Sequence, residues 1–211
     1  MSYLIIIRHG KSEWNALGLW TGWKDVSLIK EGQEEAKRTG MQLQNISIHK
    51  AYSSNLKRAK ETLEIIKNTL KITDLPTIAD QSLNERNYGI FTGKNKWQVK
   101  TEVGEIEFKK IRRSWNYPIS EGETLEDVYQ RVVPYYENNI QPDLKNGNNV
   151  IVVAHGNSLR ALIKYLENLN EDEIFNLEMG TAEAYIYQID KSGQISSKEI
   201  RSENKEKVDG S

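Results

Sequence analysis

The sequence predicts an α/β fold, a three-layer sandwich in which helices cover both faces of a mostly parallel central sheet. Two apolar runs, at residues 3–7 and 150–154, have the length and composition of strands buried on both faces, as the strands of a parallel sheet are. Predicted strands also alternate along the chain with stretches in which apolar residues recur every three or four positions, the period of an amphipathic helix. This alternation favours one sheet with helices on each side.

The first half of the chain supplies three strands and three helices. The predicted strands are residues 4–7, 50–54 and 76–79, the last of which begins with a proline and is expected at a sheet edge. The predicted helices are residues 10–17, 27–43 and 55–70. Residues 18–25 hold two glycines and two tryptophans, so this loop either packs on the core or contributes to a site. Residues 83–93 are polar and irregular, and we expect them to form a wall of a site.

The second half continues the alternation. The predicted helices are residues 96–102, 106–115, a helix that follows Thr124, and residues 158–166; the predicted strands are residues 149–154, 184–189 and 194–200. Thr124 and Asp127 form a capping box, and Pro134 is expected to kink that helix or mark a junction. We predict a single domain, residues 1–200, followed by a mobile polar tail, residues 201–211.

The amino-acid composition argues against several classes of function. The 29 Lys and Arg residues balance the 30 Asp and Glu residues, so no global charge favours nucleic acid or a membrane surface. The chain has no cysteine, which removes disulfides, thiolate metal sites and thiol catalysis. No run approaches the ~20 apolar residues that a spanning helix needs. We therefore expect a soluble cytoplasmic protein.

Two of the three histidines occupy the same kind of position: His9 and His155 each follow a buried strand and precede a glycine. Ligands of open α/β sheets bind outside the carboxyl ends of the strands, so the two imidazoles are expected side by side at one rim. Gly10 and Gly156 would let backbone N–H groups approach a ligand without a Cβ in the way. Two imidazoles at one point indicate either a metal pair or a phosphoryl site.

The neighbouring charges favour the phosphoryl site. A metal site would need carboxylates or a third histidine at ligand spacing, and none stands out in the sequence. Arg8 would repel a cation and attract an anion, and Arg58 follows the polar exit of the second strand toward the same rim. A phosphoryl group carries about −1.5 to −2 charges, and a guanidinium can offer two parallel donors to its oxygens.

The residues at this rim also suggest how a phosphoryl group could move. Neutral imidazole is a nucleophile when one ring N–H is held, most simply by a backbone carbonyl, and the other nitrogen is free. A protonated His155 would add positive charge around the loose transition state of the transfer. Glu85, in the irregular stretch, is the better candidate for handling the substrate proton; Glu13 is the rival but is expected to be solvated.

Five blocks of sequence together resemble a known family. They are Arg8-His9-Gly10-Lys11-Ser12-Glu13-Trp14-Asn15, Thr21-Gly22-Trp23, Leu83-Asn84-Glu85-Arg86 with Tyr88-Gly89, Arg112-Arg113, and Ala154-His155-Gly156-Asn157-Ser158-Leu159-Arg160-Ala161-Leu162. From residue 4 to about residue 189 the chain resembles the 2,3-bisphosphoglycerate-dependent phosphoglycerate mutases of the histidine phosphatase superfamily. The Arg-His-Gly junction alone indicates the superfamily, whereas the other blocks in this order indicate the mutase branch.

The resemblance implies a phosphoglycerate mutase-like fold and specific roles. His9 would be the phosphorylated nucleophile, Glu85 the proton donor and acceptor, and His155, Arg8 and Arg58 the groups around the phosphoryl. The candidate substrate-binding residues are Gly10, Ser12, Asn15, Thr21, Gly22, Arg86, Tyr88, Lys96, Arg112, Arg113, Gly156 and Asn157. The implied activity interconverts 3-phosphoglycerate and 2-phosphoglycerate in glycolysis and gluconeogenesis, with 2,3-bisphosphoglycerate as primer and no metal. Phosphoglycerates are the expected partners; nucleic acid and membrane are not.

The chain departs from the family pattern in three places. Lys11 stands where Glu is common, and residues 181–184 read Thr-Ala-Glu-Ala in place of Thr-Gly-Val-Pro. The segment at residues 115–123 is short where longer relatives have an insertion, and this leaves both a monomer and a homo-oligomer open.

Two other functions remain as alternatives at this point. A histidine phosphatase that hydrolyses a small phosphomonoester would share His9, Arg8, Arg58 and His155 but would let water take the phosphoryl group. The further cations at Lys96, Arg112 and Arg113 favour the mutase, because they would retain a doubly phosphorylated intermediate. A non-catalytic phospholigand-binding protein would be signalled by loss of His9, Glu85 or His155, and all three are present.

Overall fold

The computed structural model describes residues 1–202, so residues 203–211 of the predicted tail lie outside the described residues. The strands of the central sheet are β1 (Ser2–Arg8), β2 (Lys50–Ser54), β3 (Thr77–Asp80), β4 (Val150–Ala154), β5 (Ala184–Ile189) and β6 (Ile195–Arg201). Their order is β3-β2-β4-β1-β5-β6; the first four pair in parallel, and β5 and β6 add antiparallel pairs. The predicted mostly parallel sheet is confirmed, with β3 at an edge.

The helices surround this sheet. They are α1 (Glu13–Ala16), α2 (Lys30–Gln42), α3 (Lys57–Leu70), α4 (Lys96–Val103), α5 (Glu105–Arg113), α6 (Leu125–Tyr135), α7 (Gln141–Lys145), α8 (Gly156–Glu167) and α9 (Glu171–Asn176). One 3₁₀ turn, Gln81–Leu83, leads into the irregular wall at residues 83–93, and a second, Gly89–Phe91, lies within it. The sequence did not predict α7 and α9, which span five and six residues and are too short to show a helical period.

The alternation of side chains along β1 explains the three layers. Leu4 and Ile6 belong to a core cluster with side chains of α6 and α8 on one face of the sheet, whereas Ile5 and Ile7 belong to a cluster with side chains of α3 and with Leu43, at the end of α2, on the other. Successive side chains of a strand point to opposite faces, so a strand that is apolar at every position must be covered on both.

The loop at residues 18–25 both packs on the core and contacts the irregular wall at residues 83–93. Trp20 is buried in a smaller cluster with side chains of α4 and α5, including Val99 and Phe108. Trp23 is 45% exposed. Its indole Nε1 donates to the carbonyl of Glu85 at 2.6 Å, which ties the loop to the irregular wall.

The helix after Thr124 begins with the predicted capping box and does not stop at Pro134. The Thr124 and Asp127 side chains cap each other's backbone N–H groups. After Pro134 the chain continues as a π-helical segment, Tyr136–Ile140, into α7. Because proline has no N–H to donate, the regular ladder is interrupted there, and Pro134 marks a junction.

The departure from the family at residues 181–184 has a backbone consequence. Ala182 has φ of 53°, in the left-handed region, where the family pattern carries glycine. Its N–H donates to the carbonyls of Arg8 at 3.0 Å and His9 at 3.3 Å, and its carbonyl accepts from Thr39 Oγ1 at 2.6 Å. These bonds hold Ala182 against the end of β1 despite the strain of the conformation.

None of the helices in residues 1–202 is both long enough and apolar enough to cross a membrane.

Candidate active site

The strand register brings the two histidines together. Arg8 at the end of β1 pairs with Ala154 at the end of β4, so the next residue of each strand emerges at the same level. The ring centroids of His9 and His155 are 5.0 Å apart, with the ring planes at 59°. Both rings are buried, and their separation is short enough for one phosphoryl group bound at this rim to contact both.

The contacts of His9 hold its ring in the tautomer that a nucleophile needs. Nδ1 donates to the carbonyl of Gly10 at 2.7 Å, and Arg58 Nε donates to Nε2 at 3.3 Å. The lone pair therefore lies on Nε2, beside a guanidinium. Burial, with the positive charges of Arg58 and Arg8, lowers the pKa of His9 well below its usual value, so the ring is neutral at pH 7.

Gly10 serves a different purpose from the one predicted. Its N–H donates to Thr62 Oγ1 at 3.0 Å rather than pointing toward a ligand. A Cβ at Gly10 would lie 2.3 Å from the carbonyl oxygen of Gly32 in α2. The glycine is needed because the turn after β1 packs directly on the backbone of α2.

Arg58 connects His9 to the loop at residues 18–25. Its Nη1 and Nη2 donate to the carbonyls of Lys24 at 3.0 Å and Gly22 at 2.9 Å. Gly22 has φ of 50°, and a Cβ there would lie 3.2 Å from the backbone nitrogen of Tyr88. Burial lowers the pKa of Arg58 to about 10, which leaves the guanidinium charged at pH 7.

Arg8 is the second inner cation. It is buried, and its Nη1 donates to the carbonyl of Met179 at 2.7 Å. Burial lowers its pKa, while the nearby Glu85 carboxylate acts in the opposite direction. A Cβ at Gly156 would be 3.7 Å from Arg8 Nε and 3.8 Å from Glu85 Oε2, so the start of α8, Arg8 and Glu85 adjoin one another.

His155 is held through the opposite nitrogen from His9. Its Nε2 is hydrogen bonded to Ser54 Oγ at 2.7 Å, and its buried Nδ1 has no hydrogen-bond partner within residues 1–202. Burial, Arg58 and His9 lower its pKa well below the usual value. The ring is therefore neutral in these surroundings, in contrast to the protonated His155 considered from sequence; a phosphoryl dianion beside it would raise its pKa.

The carboxylate of Glu85 is turned toward the same rim. Its Oε1 accepts hydrogen bonds from the N–H of Arg86 at 2.7 Å and from the backbone N–H and the Nδ2 of Asn157, both at 3.1 Å. Asn157 also donates to the hydroxyl of Tyr88 at 2.8 Å and accepts from Arg160 Nη1 at 2.9 Å. Glu13 is exposed on α1, so the geometry favours Glu85 for the proton transfer.

A second group of cations lies close enough to Arg8 and Glu85 to interact with them electrostatically. Burial, together with the positive charges of Arg112 and Arg8, lowers the pKa of Lys96 to about 7. Arg86 is fully buried, with its guanidinium carbon 4.6 Å from the centre of the Tyr88 ring. Its Nη2 donates to the carbonyls of residues 111 and 112, whereas its Nε and Nη1 have no partner within residues 1–202.

Some predicted binding residues are engaged within the protein. Arg113 forms an ion pair with Glu178 and donates to the carbonyl of Leu177, so its charge is compensated. Ser12 is fully buried and caps α1 in a capping box with Asn15. Thr21 is buried in the loop at residues 18–25, which accepts hydrogen bonds from Arg58 through two backbone carbonyls.

Three supporting side chains were missed by the sequence analysis. Thr62 accepts a hydrogen bond from the N–H of Gly10 and donates to a carbonyl of α3. Arg160 donates to the side chain of Asn157, and Arg131 donates to backbone carbonyls beside Glu85. Arg131 stands three residues after Val128, on the apolar face of its helix. A charged residue at a core-facing position was the available signal.

Within the part of the chain that the structure describes, no group of three or more His, Asp or Glu side chains could hold a metal ion.

Comparisons with known proteins agree with this fold. A family model, that of the histidine phosphatase superfamily (branch 1), matches residues 4–199. The chain, with helices on both faces of its sheet and two histidines at one rim, therefore belongs to the histidine phosphatase superfamily.

Curated relatives narrow the family. The 2,3-bisphosphoglycerate-dependent phosphoglycerate mutase of Mesorhizobium japonicum is 43% identical over 93% of this chain and 97% of the relative. The enzyme of the same name from Cytophaga hutchinsonii is 43% identical over 93% of this chain and 92% of the relative. The chain belongs to this family of mutases.

Solved structures share the fold at lower identity. A phosphoglycerate mutase from Bacillus anthracis matches with a TM-score of 0.73 and 26% identity, over 92% of this chain and 90% of that one. Bacillus stearothermophilus YhfR matches with a TM-score of 0.79 and 26% identity, over 92% and 94%.

Proposed function

We propose that this protein interconverts 3-phosphoglycerate and 2-phosphoglycerate in glycolysis and gluconeogenesis, through a phosphohistidine at His9 and with 2,3-bisphosphoglycerate as primer. The observation that carries the proposal is the state of His9: Nδ1 is held by the Gly10 carbonyl and Nε2 faces Arg58, with His155 5.0 Å away between ring centroids. The 43% identical relatives carry the name of this activity.

The first transfer follows from these positions. As the bond from His9 Nε2 to phosphorus forms, the bond from phosphorus to the glycerate oxygen breaks, and the proton of the Glu85 carboxyl passes to that oxygen. In the return step, Glu85 takes the proton of the hydroxyl that attacks phospho-His9. Arg8, Arg58 and His155 stabilise the charge on the equatorial oxygens, where most of the catalysis of a loose transition state arises.

The outer cations support a mutase rather than a phosphatase. Interconversion requires the doubly phosphorylated intermediate to stay bound while it reorients, and that intermediate carries three anionic groups. Lys96, Arg86 and Arg112 supply positive charge beyond what the transferring phosphate uses. Arg113 would have to exchange Glu178 for the substrate in order to bind it. The bound primer would occupy both groups of cations, and no metal enters any step.

A coupled assay tests the reaction. We expect conversion of 3-phosphoglycerate to 2-phosphoglycerate that is stimulated by 2,3-bisphosphoglycerate and unchanged by a chelator. Release of inorganic phosphate independent of primer, with no interconversion, would overturn the proposal in favour of a phosphatase.

Phosphoenzyme formation tests the nucleophile. After incubation with labelled 2,3-bisphosphoglycerate, the protein should carry phosphate that is labile in acid and stable in base, as a phosphohistidine is. His9→Ala should abolish this label, whereas His49→Ala, which changes an exposed histidine at the amino end of β2, should retain it. Equal labelling of the two variants would exclude His9 as the acceptor.

We also propose a cytoplasmic location, since the substrates belong to glycolysis and the 211 residues contain no cysteine.

A further inference from the structure

The backbone that carries Glu85 is held by Arg131 of α6. Nη1 of Arg131 donates to the carbonyls of Ser82 at 2.8 Å and Asn84 at 2.9 Å, and Nη2 donates to the carbonyl of Glu85 at 2.9 Å. Nε and Nη2 also form a bidentate pair with Glu123, at 2.8 Å and 2.9 Å. All five N–H donors of the guanidinium are therefore used.

Glu123 extends this contact to the other side of Glu85. Its Oε2, besides accepting from Arg131, accepts from the N–H of Asn87 at 2.7 Å. Its own N–H donates to the carbonyl of Asn87 at 2.8 Å. The segment is thus fixed on both sides of Glu85 by one ion pair.

This segment has no other regular support. Residues 84–88 lie between two 3₁₀ turns and belong to no helix or strand, so no backbone ladder pairs their carbonyls. The side chains of Arg131 and Glu123 are only 20% and 18% exposed. Removing the Arg131 guanidinium would leave the carbonyls of Ser82 and Asn84 without this donor, which favours a shift of the segment.

The position of the backbone determines where the Glu85 carboxylate lies. The Glu85 carbonyl accepts from Arg131 and Trp23, while its carboxylate bonds to Asn157 on the opposite side. A displaced backbone would move the carboxylate away from the oxygen that it protonates. A misplacement near 1 Å is enough to cost about 100-fold in rate.

We propose that Arg131, paired with Glu123, is a positioning residue that sets Glu85 for proton transfer. This role rests on the function proposed above for Glu85. Arg131 does not itself contact the transferring group, and it acts only through the placement of the glutamate.

The leaving group provides a test that a merely structural role would not satisfy. Phosphoryl transfer from 2,3-bisphosphoglycerate to His9 expels an alkoxide, which needs the proton from Glu85. Transfer from p-nitrophenyl phosphate expels a phenolate that leaves without one. Both reactions use His9, Arg8, Arg58 and His155 in the same way, and rates taken at saturating concentrations of each substrate remove the contribution of the outer cations to binding. The ratio of the two saturated rates therefore reports on proton donation by Glu85.

The variants are Arg131→Met, Arg131→Lys and Glu123→Gln, each measured with both substrates in single-turnover phosphorylation of His9. Arg131→Met should slow transfer from 2,3-bisphosphoglycerate by about 10- to 100-fold and transfer from p-nitrophenyl phosphate by less than about 3-fold. Arg131→Lys should show the same selectivity, because lysine keeps the charge but lacks the planar fork. Glu123→Gln should show it at smaller magnitude.

Arg201→Met is the matched control. Arg201 also pairs in bidentate fashion with a glutamate, Glu199, and donates to a carbonyl and a side-chain oxygen of residues 42 and 45, but it holds no segment of the site. It should leave both rates unchanged.

The outcomes separate this proposal from the proposed function. Glu85→Gln should show the leaving-group selectivity in full; if it does not, the role of Glu85 itself fails. If Glu85→Gln shows it and folded Arg131→Lys and Glu123→Gln do not, only the positioning role fails. An equal loss with both substrates would assign Arg131 to the electrostatics of His155 or to stability, and would also overturn the proposal.

Discussion

The two strand–histidine–glycine junctions are alike in sequence and different in their surroundings. His9 is held through Nδ1 by the carbonyl of the next residue, whereas His155 is held through Nε2 by Ser54 of the neighbouring strand. Gly10 packs against the backbone of α2, whereas a Cβ at Gly156 would find no atom nearer than 3.7 Å among those described. The same local pattern thus holds one ring through Nδ1 and the other through Nε2, as the proposed roles of His9 as nucleophile and His155 as stabilising group require, and the neighbouring elements decide which.

The glycines provide the largest expected contrast. Gly10→Ala should destabilise the protein by about 3 kcal/mol, because its Cβ would lie 2.3 Å from a backbone oxygen of α2 and the backbone must move. Gly156→Ala should change the free energy of unfolding by less than about 1 kcal/mol, since alanine suits the first turn of α8. Denaturant unfolding of both variants measures the difference, and equal losses would mean that the two junctions are packed alike.

The serines at the end of β2 test how His155 is held. Ser54→Ala removes the partner of His155 Nε2 and should lower kcat by about 10-fold, the worth of one buried hydrogen bond. Ser53→Ala is the matched control: Ser53 is equally buried, and its hydroxyl has no hydrogen-bond partner within residues 1–202. Steady-state kinetics should show little change for Ser53→Ala, and a loss shared by both variants would contradict the assigned role of Ser54.

The two buried rings also predict a dependence of stability on pH. Both have pKa values lowered well below the usual value, so between that lowered pKa and about 6.5 the unfolded chain binds protons that the folded chain does not. The free energy of unfolding should therefore fall as the pH is lowered from 7 toward 5, and each ring should contribute up to about 1.4 kcal/mol per pH unit.

Single substitutions resolve these contributions. His9→Gln and His155→Gln should each flatten the slope of unfolding free energy against pH, and the exposed His49→Gln should not. An unchanged slope in His155→Gln would show that this ring is not held neutral by its surroundings.

The smallest expected effect on stability concerns Ala182, which lies against the first strand–histidine–glycine junction. It caps the first junction through its bonds to the carbonyls of Arg8 and His9, in a left-handed conformation with φ of 53°. Ala182→Gly should raise the free energy of unfolding by about 1 kcal/mol, because glycine adopts this conformation without steric cost. Thermal unfolding measures the effect; a lower melting temperature would mean that the Cβ contributes more packing than strain.

Strand positions and the meeting of the two histidines follow from local sequence patterns and could be predicted. Contacts between residues far apart in the chain could not. The strands β2 and β5 have the predicted bounds, and the two histidines meet as the order of apolar runs and glycines indicated. The compensation of Arg113 by Glu178 and the contact of Gly10 with Gly32 join residues far apart in the chain, so no periodicity reveals them. Arg131 was overlooked for the same reason, since its carbonyl partners are 46 to 49 residues away.

If Lys96 binds the substrate as proposed, binding should take up a proton from the solution. With a pKa of about 7, a large part of the Lys96 population is neutral in mildly alkaline solution. An arriving polyanion would raise that pKa and draw a proton onto the amine. The heat of association measured calorimetrically near pH 8 should then vary with the ionisation enthalpy of the buffer, and Lys96→Met should remove that variation.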